Sequence, residues 1–278
     1  MQTTARAKLA LALLLAPLPI AAHPLLDDRI GRLTRAIEAD PGEAALWVER
    51  GDCYRLDGLW ELALADYARA RELDPELDTL DFSLGWLFLE TARPEKALLH
   101  LDRFVARHPE QPVALLGRAR ALAELGRTAE IAAAYSRAIH ALRQPRPEHY
   151  LEWSRALAAG DEPELAIAVL DAGLARVGEI ASLQREAIEI DAARGALEAA
   201  LVRLDRLLAS THRVEEALLR KAEILERLGR HDDARSALRS ALAALESRPA
   251  SRRSVKSIRN LEAQLQAELR RLDSASEP

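Results

Sequence analysis

The chain has 278 residues, 49 % of them hydrophobic and 30 % charged, a composition that excludes a disordered polypeptide. Its 44 acidic against 39 basic side chains leave a net charge of −5, which repels phosphate backbones and argues against nucleic-acid binding. The apolar share is mostly Ala and Leu and only 4 % of residues are aromatic, so helix formers dominate and an all-α fold is expected.

Residues 1–22 read as a secretory signal peptide. Arg6 and Lys8 form a positive start, Leu9 to Ala16 are purely apolar, and Pro17 and Pro19 precede small residues ending at Ala22. A first helix of the fold is the competing reading. A membrane anchor fits worse, because about 20 uninterrupted apolar residues span a bilayer and two prolines interrupt this stretch. Cleavage after Ala22 would leave a net charge of −7 and a periplasmic or secreted protein. The net negative charge arises in residues 23–111, with 19 acidic against 11 basic groups, and the remainder is close to neutral. The single cysteine, Cys53, excludes an internal disulfide. It reads as a small buried hydrophobe inside a helix, with a reactive or intermolecular thiol as the alternative.

After a half unit over residues 23–43, six units follow at 44–77, 78–111, 112–146, 147–180, 181–214 and 215–248. Pro41, Pro75 and Pro109 recur at a spacing of 34 residues. A small residue recurs as Gly51, Gly85, Ala119, Ser154, Ala187 and Ala222. Further on comes Ala63, Ala97, Ile131, Ala166, Ala200 or Ala234, and four residues later a large apolar one, Tyr67, Leu101, Tyr135, Leu170, Leu204 or Leu238. Residues four apart share a helical face, so each unit reads as two helices in close contact at the small residue. Gly58, Gly126, Gly160, Gly195 and Gly229 mark the turns, and Pro75 and Pro109 stop the second helix. Residues 249–272 read as a basic linker and a capping helix, and 273–278 as a disordered tail; the basic run, which starts at Arg248 and continues with Arg252, Arg253, Lys256 and Arg259, reads as solvated, with contact to an anionic surface as the alternative.

Trp47, Gly51 and Tyr54, then Ala63, Tyr67, Ala70 and Pro75, resemble the tetratricopeptide repeat pattern, with Arg50 where leucine is usual. The second unit keeps Leu84, Gly85, Phe88, Ala97 and Pro109 but has Phe104 where a small residue is usual. The resemblance implies a right-handed α-solenoid of stacked antiparallel hairpins, about six repeats with capping helices, whose first helices line a concave face. It assigns to that face Asp52, Phe82, Trp86, Leu116, Arg120, Leu151 and Arg155. Aromatic and arginine side chains anchor many protein interfaces, so the expected partner is a peptide or helix of another protein. Packing against neighbouring helices is the competing role for Phe82 and Trp86. Trp47, Tyr54, Phe88 and Trp153 match the repeat's own core. The carboxylate clamp of some family members is absent, since Val48, Glu49 and Asp52 hold those places.

No catalytic or metal motif is present, so a non-enzymatic protein without cofactors is expected. The seven histidines are scattered, and His108 and His149 are expected to be exposed near inter-helix turns. A cell-wall or polysaccharide factor, stacking sugars on the aromatic groove, is the alternative function.

Overall fold

The computed structural model describes residues 24–211, 213–249 and 255–274. The expected signal peptide, Arg252 and Arg253 of the basic run, and residues 275–278 of the expected tail lie outside them. Among the described residues there are fourteen α-helices and no strand. The chain divides into two compact units that meet between Leu125 and Gly126, inside the third repeat.

The first unit holds α1 (Pro24–Ala39), α2 (Ala44–Leu56), α3 (Trp60–Leu73), α4 (Asp78–Glu90), α5 (Pro94–Arg107) and α6 (Pro112–Glu124). The second holds α7 (Thr128–Ala141), α8 (Pro147–Ala159), α9 (Pro163–Val177), α10 (Ala181–Ala193), α11 (Leu197–Ser210), α12 (Val214–Arg227), α13 (His231–Glu246) and α14 (Lys256–Ser274). Within each unit, consecutive helices pack as hairpins and each hairpin packs on the next. This is the stacked, all-α solenoid architecture, in which a single hairpin cannot bury its own face. Proline opens α5, α6, α8 and α9, at the first turn where its missing N–H costs no helical hydrogen bond.

The expected contact residues form the core. Ala63, Ala97, Ala166, Ala200 and Ala234 are fully buried, and the six large residues that follow them are no more than 1 % exposed. The small residue opposite is required by geometry. A Cβ on Gly51 would lie 2.5 Å from the Tyr67 ring, and one on Gly85 would lie 2.5 Å from Leu101 Cγ. Arg50 is accommodated in place of leucine because its guanidinium forms two hydrogen bonds, of 2.8 and 2.7 Å, to the buried carboxylate of Asp66.

The turns follow one scheme with two departures. After α2, Gly58 takes a left-handed φ of 74° while the N–H of Leu59 reaches back to the Tyr54 carbonyl. After α4 the same place is held by Ala92 at φ 52°, although a side chain there costs roughly 1–2 kcal/mol. Ala92→Gly is therefore expected to stabilise the protein by about 0.5–1 kcal/mol after the added freedom of the unfolded chain is deducted, read as a higher denaturation midpoint. After α8 the left-handed residue is Asp161 (φ 62°), and Gly160, expected to fill that role, has φ −85°. Glycine is needed at 160 for space instead, since a Cβ would lie 2.6 Å from Thr128 Cγ2.

Several local expectations are corrected. His149 is buried, because its Nδ1 accepts from the Arg146 N–H and caps the start of α8. His108 is only partly exposed, with Nε2 2.5 Å from Asp78. The carboxyl of Asp78 is held below its ordinary range by that imidazole. Arg248 does not sit in a solvated linker; it grips the buried Glu215 at 2.6 and 2.7 Å. Helix α14 runs to Ser274, so Asp273 and Ser274 are helical rather than part of a tail. Its Leu265 and Leu272 are buried against the α12–α13 hairpin, and Arg271 reaches Glu226 of α12. Of the four expected core aromatics, Phe88 is buried, whereas Trp47, Tyr54 and Trp153 are half-buried. Cys53 is 1 % exposed and unpaired, and burial pushes its thiol up.

Candidate functional site

The first unit assembles a ring cluster on α4, α5 and α6. Phe82 and Trp86, four residues apart on α4, present their rings on one side and meet edge to face at 6.4 Å. Phe82 also lies 5.1 Å from Phe104 of α5, which is 4.5 Å from the His108 ring. Arg120 of α6 places its guanidinium over the Trp86 ring at 5.3 Å, close enough for a cation–π contact. Gly117, one turn before Arg120, leaves room for the indole: a Cβ there would be 3.3 Å from Trp86 Cζ2.

Phe82, Trp86 and Arg120 are all half-buried, so each keeps part of its surface exposed while its orientation is set by neighbours. Cation–π and ring–ring contacts hold the three without freezing them in a closed core. The Trp86 indole nitrogen is buried and has no acceptor, an unsatisfied donor of the kind native cores avoid.

The other expected residues fall elsewhere. Leu116 is 6 % exposed and belongs to the core beside the cluster rather than to an open face. Asp52 lies on α2, where it accepts from the Tyr67 hydroxyl at 2.7 Å and faces Arg55 at 3.6 Å. Burial, and then the Asp52 charge, push the Tyr67 phenol far up, so it stays a donor. Asp52 thus positions the buried ring of Tyr67. Leu151 and Arg155 lie in the second unit. Arg155 is exposed, but its Nε and Nη2 both donate to Glu186 of α10, at 3.0 and 2.7 Å.

The structure adds Phe104, His108 and Gly117 to the cluster. Phe104 carried a signal in the sequence, as a large ring where the repeat pattern asks for a small residue. Gly117 carried none, because its role depends on an indole 31 residues earlier. Among the described residues no group of three or more His, Cys, Asp or Glu side chains could hold a metal ion. No helix among them is long and apolar enough to cross a membrane.

A sequence profile described as Tetratricopeptide repeat matches residues 30–78 and 82–147, and a second of that description matches 216–244. No curated protein matches the sequence. Among solved structures, the C-terminal part of a TPR repeat-containing protein from Cytophaga hutchinsonii is similar with a TM-score of 0.65. It is 13 % identical over 84 % of this chain and 95 % of that one. PilW, a widely conserved type IV pilus biogenesis factor, gives 0.57 at 20 % identity, over 66 % of this chain and 86 % of its own. A tetratricopeptide repeat protein from Parabacteroides merdae gives 0.54 at 14 % identity, over 87 % and 92 %. At these identities the likeness is one of fold.

Proposed function

The chain belongs to the tetratricopeptide repeat family, and from that premise we propose that it is an exported, non-catalytic scaffold that holds a peptide or helix of a partner protein at Phe82, Trp86 and Arg120. Proteins of this family generally act as scaffolds without catalysis. The observation that carries the reading is the half-buried trio itself, two rings and a guanidinium held in fixed mutual geometry. Tryptophan and arginine are the side chains most often found to dominate binding energy, and pre-ordered ones lose less entropy on binding. The rings suit apolar side chains of the partner, and Arg120 suits a carboxylate beside them. Export rests on residues 1–22, whose layout is that of a cleavable signal. PilW, of the same fold, is a type IV pilus biogenesis factor, so pilus assembly proteins are a partner class for the test to include.

The test is site-specific photocrosslinking in the native host, with p-benzoylphenylalanine at Phe82, where an aromatic ring already sits. Discrete protein adducts are expected in the extracytoplasmic fraction. Trp86→Ala combined with Arg120→Glu should weaken capture by roughly thirtyfold or more, the size of a binding hot spot of about 2 kcal/mol. The thermal midpoint should move only slightly. Adducts that survive the double substitution, or recovery of polysaccharide instead of protein, would overturn the assignment. A large drop in midpoint would show that the trio is core.

A further inference from the structure

The other unit has a cleft of about 260 Å³ between α10, α11 and α12. Its floor is apolar: Ile188, Leu204, Leu207 and Ala217. Its rim carries three arginines, Arg185, Arg213 and Arg220. Their charges are not equally free. Arg220 is bound by Glu189 at 3.0 and 2.5 Å and by Glu223 at 2.7 Å. Arg213 is 70 % exposed at its side chain and only 3.5 Å from Glu216, a loose contact between two solvated groups. Arg185 is exposed and forms no ion pair among the described residues. The two carboxylates on the rim, Glu189 and Glu216, are therefore both facing arginine already, and one guanidinium is left over.

The size selects among occupants. Small-molecule pockets run to about 300–1,000 Å³ and enclose most of their ligand. This cleft is smaller and open, which suits one apolar side chain with its backbone lying outside. The charge selects further. The net negative charge of the chain arises in residues 23–111, and in residues 112–278 acidic and basic groups nearly balance, so an anionic segment meets little net repulsion at the second unit. A surplus guanidinium beside an apolar floor is matched by a carboxylate one or two residues from an apolar side chain.

The geometry points to this cleft as a docking site for an extended peptide segment of a partner protein, an apolar side chain on the floor and a following carboxylate on Arg185 and Arg213. The site is separate from the ring cluster of the first unit and does not depend on it. Burial of the apolar side chain provides most of the attraction, and the exposed arginines set direction and register, because solvated ion pairs contribute little by themselves.

The probe is a blocked synthetic peptide, acetyl-Gly-Ser-Gly-Phe-Glu-Glu-Gly-amide, titrated into the full protein with carbon-13 methyl signals observed. Saturable shifts are expected at Ile188, Leu204 and Leu207. A peptide with Ala for Phe, or with Lys-Lys for Glu-Glu, should bind roughly tenfold more weakly or not at all. Arg185→Glu should weaken the parent peptide by a similar factor with an unchanged melting curve, since its side chain is exposed and unpaired. Trp86→Ala should leave these titrations unaltered, which keeps this outcome separate from that of the first-unit site. Absence of shifts at about 1 mM peptide, the weak end of measurable affinity, would overturn the assignment. So would equal binding of the Lys-Lys peptide, or floor shifts that grow with protein concentration alone and mark a second copy as the occupant.

Discussion

Gly51→Leu is expected to destabilise the protein by roughly 2–4 kcal/mol, even though leucine is the better helix former. The intrinsic gain of leaving glycine in a helix is about 0.8 kcal/mol. Against it stands a Cβ that would lie 2.5 and 2.8 Å from two Tyr67 ring carbons and 3.3 Å from the Ala63 carbonyl oxygen. The ring has nowhere to go. Tyr67 is 1 % exposed, and its hydroxyl is tied to Asp52 at 2.7 Å. Overpacking a tight core contact costs about 1–3 kcal/mol, and the remaining carbons of leucine must also be placed. Denaturant unfolding followed by circular dichroism measures the effect. Gly51→Ala should fall between the wild type and Gly51→Leu, because it adds the clashing atom but no more. A Gly51→Leu protein as stable as the parent would mean that α2 and α3 do not meet at this residue.

The second large effect is expected at Asp191. This carboxylate is fully buried in α10 and accepts from three guanidinium nitrogens, two of Arg194 at 2.9 and 2.7 Å and one of Arg203 at 2.8 Å. Arg203 uses its other two nitrogens on Asp171 of α9, at 2.7 and 2.9 Å. Three successive helices, α9, α10 and α11, are thereby tied through one guanidinium, whose proton affinity is raised by Asp171 and Asp191. Asp191→Ala would leave two cations facing a hole in a partly buried setting. Breaking such a pair from one side costs about 3–5 kcal/mol; the partial exposure of Arg194 puts this case toward the lower end. The discriminating measurement is a double-mutant cycle with Arg203→Leu. Partners in one network should be far from additive, the second substitution costing much less once the first is made. Additive losses would show that the carboxylate and Arg203 do not depend on each other.

These pairs also give a physical reason for a bias visible in the composition. The chain has only four lysines among its 39 basic residues. Arginine repeatedly bridges residues about one repeat apart. Arg155 meets Glu186, Arg203 meets Asp171, Arg220 meets Glu189 and Arg248 meets Glu215, at separations of 31 to 33 residues. Each pairing involves a planar fork that can take two carboxylate oxygens at once, which a lysine cannot do. Three of these pairs tie one hairpin to the next, and Arg248–Glu215 joins the two ends of the α12–α13 hairpin, all outside the apolar contact that forms the hairpins.

Much of the candidate site was legible because it reuses the repeat. Phe82 and Trp86 are found at the expected places of α4, and Arg120 at the corresponding place of α6. Leu116, Asp52 and Arg155 were assigned by the same rule and have other work. Their position in the repeat is as expected, but the neighbour that claims each side chain is not part of the pattern. Leu116 is taken into the core, Asp52 by Tyr67 and Arg55, and Arg155 by Glu186.

The amino-acid sequence by itself determined the all-helical fold and the small-against-large contacts seen at Gly51 and Gly85. All of these follow from periodicities of four and thirty-four residues, and the contact is made between helices adjacent in the chain. Only the tertiary structure decided which polar groups are spent on holding the fold and which stay exposed. His149 capping α8, Arg248 on Glu215, Ala92 in a left-handed turn and the free guanidinium of Arg185 are of this kind. The reason is that a charge or a ring can choose among several neighbours within reach. That choice is set by exposure and distance in three dimensions, whereas a glycine facing a tyrosine across a close helix contact has no alternative.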